Sequence, residues 1–265
     1  MKLLGVEIGA SAATRGQLGR LLERNAALRD VFAGDPALRK QLARVQKWQS
    51  KRLLRSHADL HANPRYRLAV EFFFNELYGG SGDVRRRDAD LLKVQHAMER
   101  LLPREGLDAL CLAIQLETLS QELDADVARA LPAGPITVER YAEAYRAGGR
   151  RADRERQIAL TREVGAYLDG VVRKPLVRGL IRLVRKPAHA AGFGQLQEFL
   201  ERGLAAFEAM HGADEFLSTV GTRELRTLDR LFDGVDDPFE FGAKGHRGAG
   251  ARAVTTTDAA GADAE

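Results

Sequence analysis

The stretch EGLDALCLAIQLETLSQELDADVARAL, Glu105–Leu131, decides the fold class. Leu107, Leu110, Cys111, Ile114, Leu116 and Leu119 recur at helical spacing and cover a wide face. A stripe this broad predicts a central, largely buried helix. Working outward, the same residue choice continues in both directions. Leu, Ala, Arg and Glu dominate, and the apolar–polar alternation of strands is missing. Upstream, Thr14–Phe32 carries Leu18, Leu21, Leu22, Leu28 and Phe32 near one face. Asp35-Pro36 then reads as a helix cap followed by proline at the first helical position. That helix is expected to run to about His61, burying Leu38, Leu42, Val45, Trp48 and Leu53.

Asn63-Pro64 opens a third helix, stopped after Tyr78 by Gly79, Gly80 and Gly82. Asp83 caps a fourth, ending near Leu102-Pro103. Downstream, Leu131-Pro132-Ala133-Gly134-Pro135 is a break, and Thr137 caps a short helix to Ala147. Further helices are predicted over Arg150–Val172, Pro175–Arg185, Gly194–Met210 and Asp214–Phe232. The sequence therefore predicts one all-α domain of nine or ten helices, bundle-like, over about Thr14–Gly234. Residues 1–13 read as a flexible N-terminus. Residues 235–265 read as a disordered tail, since Gly, Ala, Thr and Asp take over without apolar periodicity.

The 265 residues carry 41 Lys and Arg against 37 Asp and Glu, a net charge of +4. Hydrophobic residues make up 45% and charged ones 29%, a core-forming composition. No apolar run reaches the roughly 18 residues a membrane span needs. One cysteine, Cys111, excludes an intrachain disulfide and a cysteine-based zinc site. With no export signal apparent, the expected location is the cytoplasm. No Gly-Lys-Ser/Thr phosphate loop is present, and Gly192-Phe193-Gly194 lacks the third glycine and the strand of a dinucleotide site.

Two places carry functional expectations. The first is Glu71-Phe72-Phe73-Phe74-Asn75-Glu76-Leu77-Tyr78. Three successive phenylalanines spread around a helix must be enclosed on several sides, so Glu71 and Glu76 need a partner or a proton. Arg65, Arg67 and Arg85-Arg86-Arg87 are partners close in sequence. A pocket here would draw on Glu71, Glu76, Tyr78, Glu122, His57, His61 and His96. His57 and His61 have the four-residue spacing of a chelating pair, but Ala58 stands where a zinc protease needs Glu. Glu71 and Glu117 lack the Glu-x-x-His pattern of di-iron bundles, so no metal is expected. Catalytic residues and cofactors remain unassigned.

The second is electrostatic. No acid lies between Asp169 and Glu198, while Arg173, Lys174, Arg178, Arg182, Arg185 and Lys186 do. On a helix, Lys174, Arg178, Arg182 and Arg185 share a face opposite Leu176, Val177, Leu180, Ile181 and Val184. Such a helix engages an anionic membrane surface, a nucleic acid or an acidic protein. The sequence favours a non-catalytic binding or regulatory protein using this helix. The alternative is a cofactor-binding protein or enzyme with its site near the aromatic helix.

The string FFFNELYG, with Asp83-Val84 and Arg87-Asp88, resembles the signature of the FFLEELY-motif proteins, a bacterial group. Ser120-Gln121-Glu122-Leu123-Asp124, Arg154-Glu155-Arg156-Gln157-Ile158 and Arg173-Lys174-Pro175-Leu176 fit the same group, so the similarity spans about Gln41–Phe232. Phe74 and Asn75 stand where the motif has Leu and Glu. The resemblance implies a bacterial, helical, intracellular protein and implies no activity. The order of helices is also similar to that of bacterial globins, though Leu119–Leu131 offers no histidine for a haem.

Overall fold

The protein is described as a computed structural model covering residues 2–3, 6–7, 12–77, 93 and 104–239. A two-residue antiparallel ladder pairs β1 (Lys2–Leu3) with β2 (Val6–Glu7), in the stretch read from sequence as flexible. The rest is helical: α1 (Ala12–Gly34), α2 (Pro36–Ser56), α3 (Ala58–Ala62) and α4 (Arg67–Glu71), the last continuing as a π-helical turn over Phe72–Leu77. Beyond it come α5 (Arg104–Ala130), α6 (Val138–Ala147), α7 (Arg151–Val172), α8 (Pro175–Ala190), α9 (Gly194–Met210) and α10 (Asp214–Phe232). The all-α class expected from the sequence is the one observed.

Local chemistry sets the ends. The Asp35 side chain accepts a hydrogen bond from the Leu38 amide at 2.9 Å, and Pro36 takes the first helical position. Thr137 accepts one from the Arg140 amide, opening α6. As its stripe predicts, α5 is central, packing against α1, α2, α6 and α7. Its Leu107, Cys111, Ile114 and Leu116 are buried.

Three expectations on helix extent change. The helix expected from Pro36 to His61 breaks at His57. Both the His57 amide and its ring Nδ1 meet the Leu53 carbonyl, each at 3.0 Å, which turns the imidazole into the core. The aromatic helix is α-helical only to Glu71 before widening into the π turn, and it starts at Arg67 rather than Pro64. The basic helix runs past Arg185 to Ala190 with Pro187 inside it. Proline there removes only the bond to the Leu183 carbonyl, on a face turned to solvent. The expected fourth helix, Asp83–Leu102, lies outside the described residues except for Lys93, which is helical.

Two apolar clusters flank the centre. One gathers Tyr66, Phe72, Phe73 and Phe74 with Phe207, Met210 and Phe216 from α9 and α10. The other joins Phe32, Val45, Tyr141, Tyr145 and Leu231. Phe239 belongs to the second cluster at 2% exposure, its ring 5.7 Å from Trp48. The chain therefore stays packed through residues 235–239, five residues into the stretch read as tail. The remainder of that stretch lies outside the described residues.

Candidate functional site

The polar residues that converge are mostly not those the sequence singled out. Where the two apolar clusters meet, α2, α5, α6, α7 and α10 enclose a cavity of about 70 Å³. Arg52 from α2 donates through Nη1 to both Glu224 oxygens, at 2.6 and 2.7 Å. Burial works against the Arg52 charge, but Glu224 together with Tyr141 and Tyr145 more than offsets it and holds the guanidinium above its ordinary pKa. Gln49 donates to the Tyr141 hydroxyl at 2.9 Å. From α7, Arg154 donates to the Leu123 carbonyl at 3.0 Å and lies 4.1 Å over the Tyr145 ring.

Asp124, at 5% exposure, faces Arg154 and hydrogen-bonds with Gln49 and Gln46. Burial pushes its carboxyl up to about 6, against the pull of those three partners. Burial likewise raises the Tyr141 and Tyr145 hydroxyls above their ordinary value. His57 is fully enclosed, with Nε2 3.9 Å from Glu224. Burial lowers its pKa, outweighing Glu224, so the ring is held neutral. Since Nδ1 donates to Leu53, Nε2 is a bare acceptor and meets no hydrogen-bond partner.

The residues expected near the aromatic helix scatter. Glu71 pairs with His61 at 3.2 Å on the surface, both half exposed. Glu122, two turns before the end of α5, is held by Arg24 at 2.9 Å and Arg150 at 3.3 Å. Glu117 pairs with Arg29. Thus His57 and His61 face different surroundings, one inside and one outside. The Glu76 side chain, Tyr78 and His96 lie outside the described residues. Among the described residues no group of three or more His, Cys, Asp or Glu side chains is placed to hold a metal.

Along α8 and the turn before it, part of the positive charge is met by acids of the same chain. Arg173 pairs with Asp169, Arg178 with Glu208 at 3.4 Å, and Arg185 with Glu201 at 3.5 Å. Lys174 stands at the helix start, half buried. Arg182 and Lys186 are exposed, and among the described residues neither meets a carboxylate. Between them Leu183 is 75% exposed. Val177 and Ile181 turn inward. Among the described residues no helix is long and apolar enough to cross a membrane.

Sequence reasoning missed Arg52, Asp124, Arg154 and Glu224. Helical spacing carried a signal for one of them: Asp124 lies within the buried stripe of α5. No curated protein and no solved structure matches the chain. Residues 29–238, which include the whole buried cluster and all of α8, match the family described as "Domain of unknown function (DUF8198)", and the chain belongs to that family.

Proposed function

We propose that this protein is a non-catalytic binding module that docks an acidic protein surface along the outer face of α8. The observation that carries the reading is the stripe Arg182, Leu183 and Lys186: two exposed cations without carboxylate partners among the described residues, flanking an exposed leucine. An apolar anchor between cations suits a partner with an apolar contact ringed by acids. The apolar side chains Val177 and Ile181 are committed to the fold, so they are not available to sink into a bilayer. With Arg173, Arg178 and Arg185 already beside acids, few cations remain to neutralise a run of phosphates. The FFFNELY string supports placing the chain with the bacterial FFLEELY-motif group, acting in the cytoplasm.

The test uses a fluorescent helical peptide built from Glu, Ala and Leu, titrated at low salt, beside phosphatidylserine vesicles and duplex DNA. The full chain should bind the peptide in preference to the other two. Arg182→Gln with Lys186→Gln should weaken binding on the order of tenfold through lost charge complementarity, with helical circular dichroism unchanged. Leu183→Ala should weaken it further at high salt, where screening leaves the apolar contact. Failure to bind the peptide, or tighter binding to vesicles or DNA, contradicts the reading.

A further inference from the structure

The α8 face sets cations around an exposed leucine, and the same chain presents the opposite arrangement after α10. Asp233–Asp237 reads Asp-Gly-Val-Asp-Asp. Asp233, Asp236 and Asp237 are exposed, and among the described residues none of their carboxylates pairs with a cation. Arg230, the cation at this turn, donates to the Asp237 backbone carbonyl at 2.5 Å. Between the acids Val235 is 41% exposed.

The turn is held in one shape. Gly234 has a φ of 74°, its amide donates to the Leu231 carbonyl at 3.4 Å, and the Val235 amide donates to the Arg230 carbonyl at 3.1 Å. This is the Schellman closure of a helix, in which the residue after the glycine ordinarily lays an apolar side chain back on the last turn. Here the residue that would receive Val235 is Arg230, and the valine stays in solvent. Downstream, Phe239 is buried beside Trp48 and anchors the far end. The result is a fixed apolar knob ringed by carboxylates.

On α8 there is a place of matching shape. Gly179 lies one turn before Leu183 on the same face, and it is exposed. A Cβ built there meets nothing within 4 Å, so no packing inside the fold calls for glycine. Glycine within a helix is otherwise a cost. Its missing side chain leaves a recess beside Leu183, with Arg182 and Lys186 following on the same face.

We propose that the acidic surface received by α8 is the Asp233–Asp237 turn of a second copy of this chain, with Val235 seated at Gly179 against Leu183 and the carboxylates around Arg182 and Lys186. The inference rests on the reading of α8 as a docking face for an acidic surface. Charge complementarity selects the turn as occupant, because α8 against α8 would bring like charges together. Two different patches meet, so the contact is heterologous and copies add head to tail. One turn on one helix face is small against the roughly 1,200 Å² of a stable interface, so the association is weak and reversible.

Sedimentation velocity of the full chain, from micromolar to millimolar concentration and at low and high salt, tests this. The sedimentation coefficient should rise with concentration at low salt, with a Kd on the order of 100 μM, and the rise should shrink at high salt. Arg182→Gln with Lys186→Gln, and separately Asp233→Asn with Asp236→Asn, should each weaken self-association on the order of tenfold. Both pairs are exposed, so circular dichroism and melting temperature should stay those of the parent. Mixing the two variants joins the intact turn of one to the intact α8 of the other. The mixture should form a one-to-one pair that grows no further. An aspartate variant that associates as the parent does, or a mixture that stays monomeric, would overturn the proposal. A parent that stays monomeric while binding the Glu-Ala-Leu peptide loses the second copy as partner and keeps the α8 docking face. A parent that does neither loses both.

Discussion

The buried cluster between α2, α5, α6, α7 and α10 and the outer face of α8 use the same residue types in opposite ways. In the cluster, Arg52 and Arg154 are enclosed, each with partners fixed by neighbouring helices. On α8, Arg182 and Lys186 stand in solvent, and the cations that do have partners hold them at the surface. A charge taken out of water is tied to its neighbours at high cost if one is removed, whereas an exposed one is screened and replaceable. The difference separates what the fold needs from what it offers. Interior arginines specify how five helices meet, while the exterior ones are free to meet something else.

The largest test of this contrast is Glu224→Gln. It strips the counter-charge from Arg52 and should cost about 3–5 kcal/mol, measured by urea denaturation. A loss below about 1 kcal/mol would make the pair surface-like and collapse the contrast.

Next is Asp124→Asn. The native carboxyl titrates at about 6, above its ordinary 3.8, so the folded chain binds that proton more tightly than the unfolded one. The stability this group contributes is complete below pH 3.8 and is lost as the pH rises through 6. Asn removes that loss. The variant should exceed the parent at pH 7.5 by up to roughly 3 kcal/mol, the gain vanishing near pH 4. His57 works in the other direction: it is neutral when folded, and acid through its ordinary 6.5 favours the unfolded chain in both proteins. A gain independent of pH would remove Asp124 as its source.

Packing sharpens the comparison further. A Cβ on Gly165 of α7 would clash with the Leu217 side chain at Cδ2. Gly165→Ala should therefore destabilise by about 1–3 kcal/mol, read as a lower melting temperature, because the helices are forced apart beside the cluster. At the small end, Arg178→Gln and Arg185→Gln should each cost no more than ~1 kcal/mol in the same assay, since their acid partners are surface groups. A larger loss would move α8 from the offered side of the contrast to the needed side.

Much of this architecture is visible in the residues themselves. Asp35-Pro36 and Thr137 mark helix starts because capping depends only on local atoms. The limits of α9 and α10 coincide with those read from Gly194–Met210 and Asp214–Phe232, although neither start carries a side-chain cap. The break at His57 was not visible, because it depends on an imidazole turning inward to Leu53 while Glu224, far along the chain, waits nearby. The π turn at Phe72–Leu77 likewise answers to packing, since Ser50 holds the Phe74 carbonyl at 2.9 Å and Gly203 lets the Phe72 ring approach α9. The Arg52–Glu224 pair spans 172 residues, and periodicity gives each residue a face without naming its partner. Phe239 follows a helix-ending segment of Gly and Asp that reads as tail, and the Trp48–Tyr141 stack and the Arg52 guanidinium, 5.3 Å from its centroid, give its ring a place.

The most direct test of the central claim, that the outer face of α8 is the working surface, is amide hydrogen exchange of the full chain with and without the Glu-Ala-Leu peptide. The account predicts slowed exchange within Gly179–Ala190, with the buried segments of α5 and α7 unchanged. Protection that instead falls on the π turn or on α5, with α8 unaffected, would contradict it.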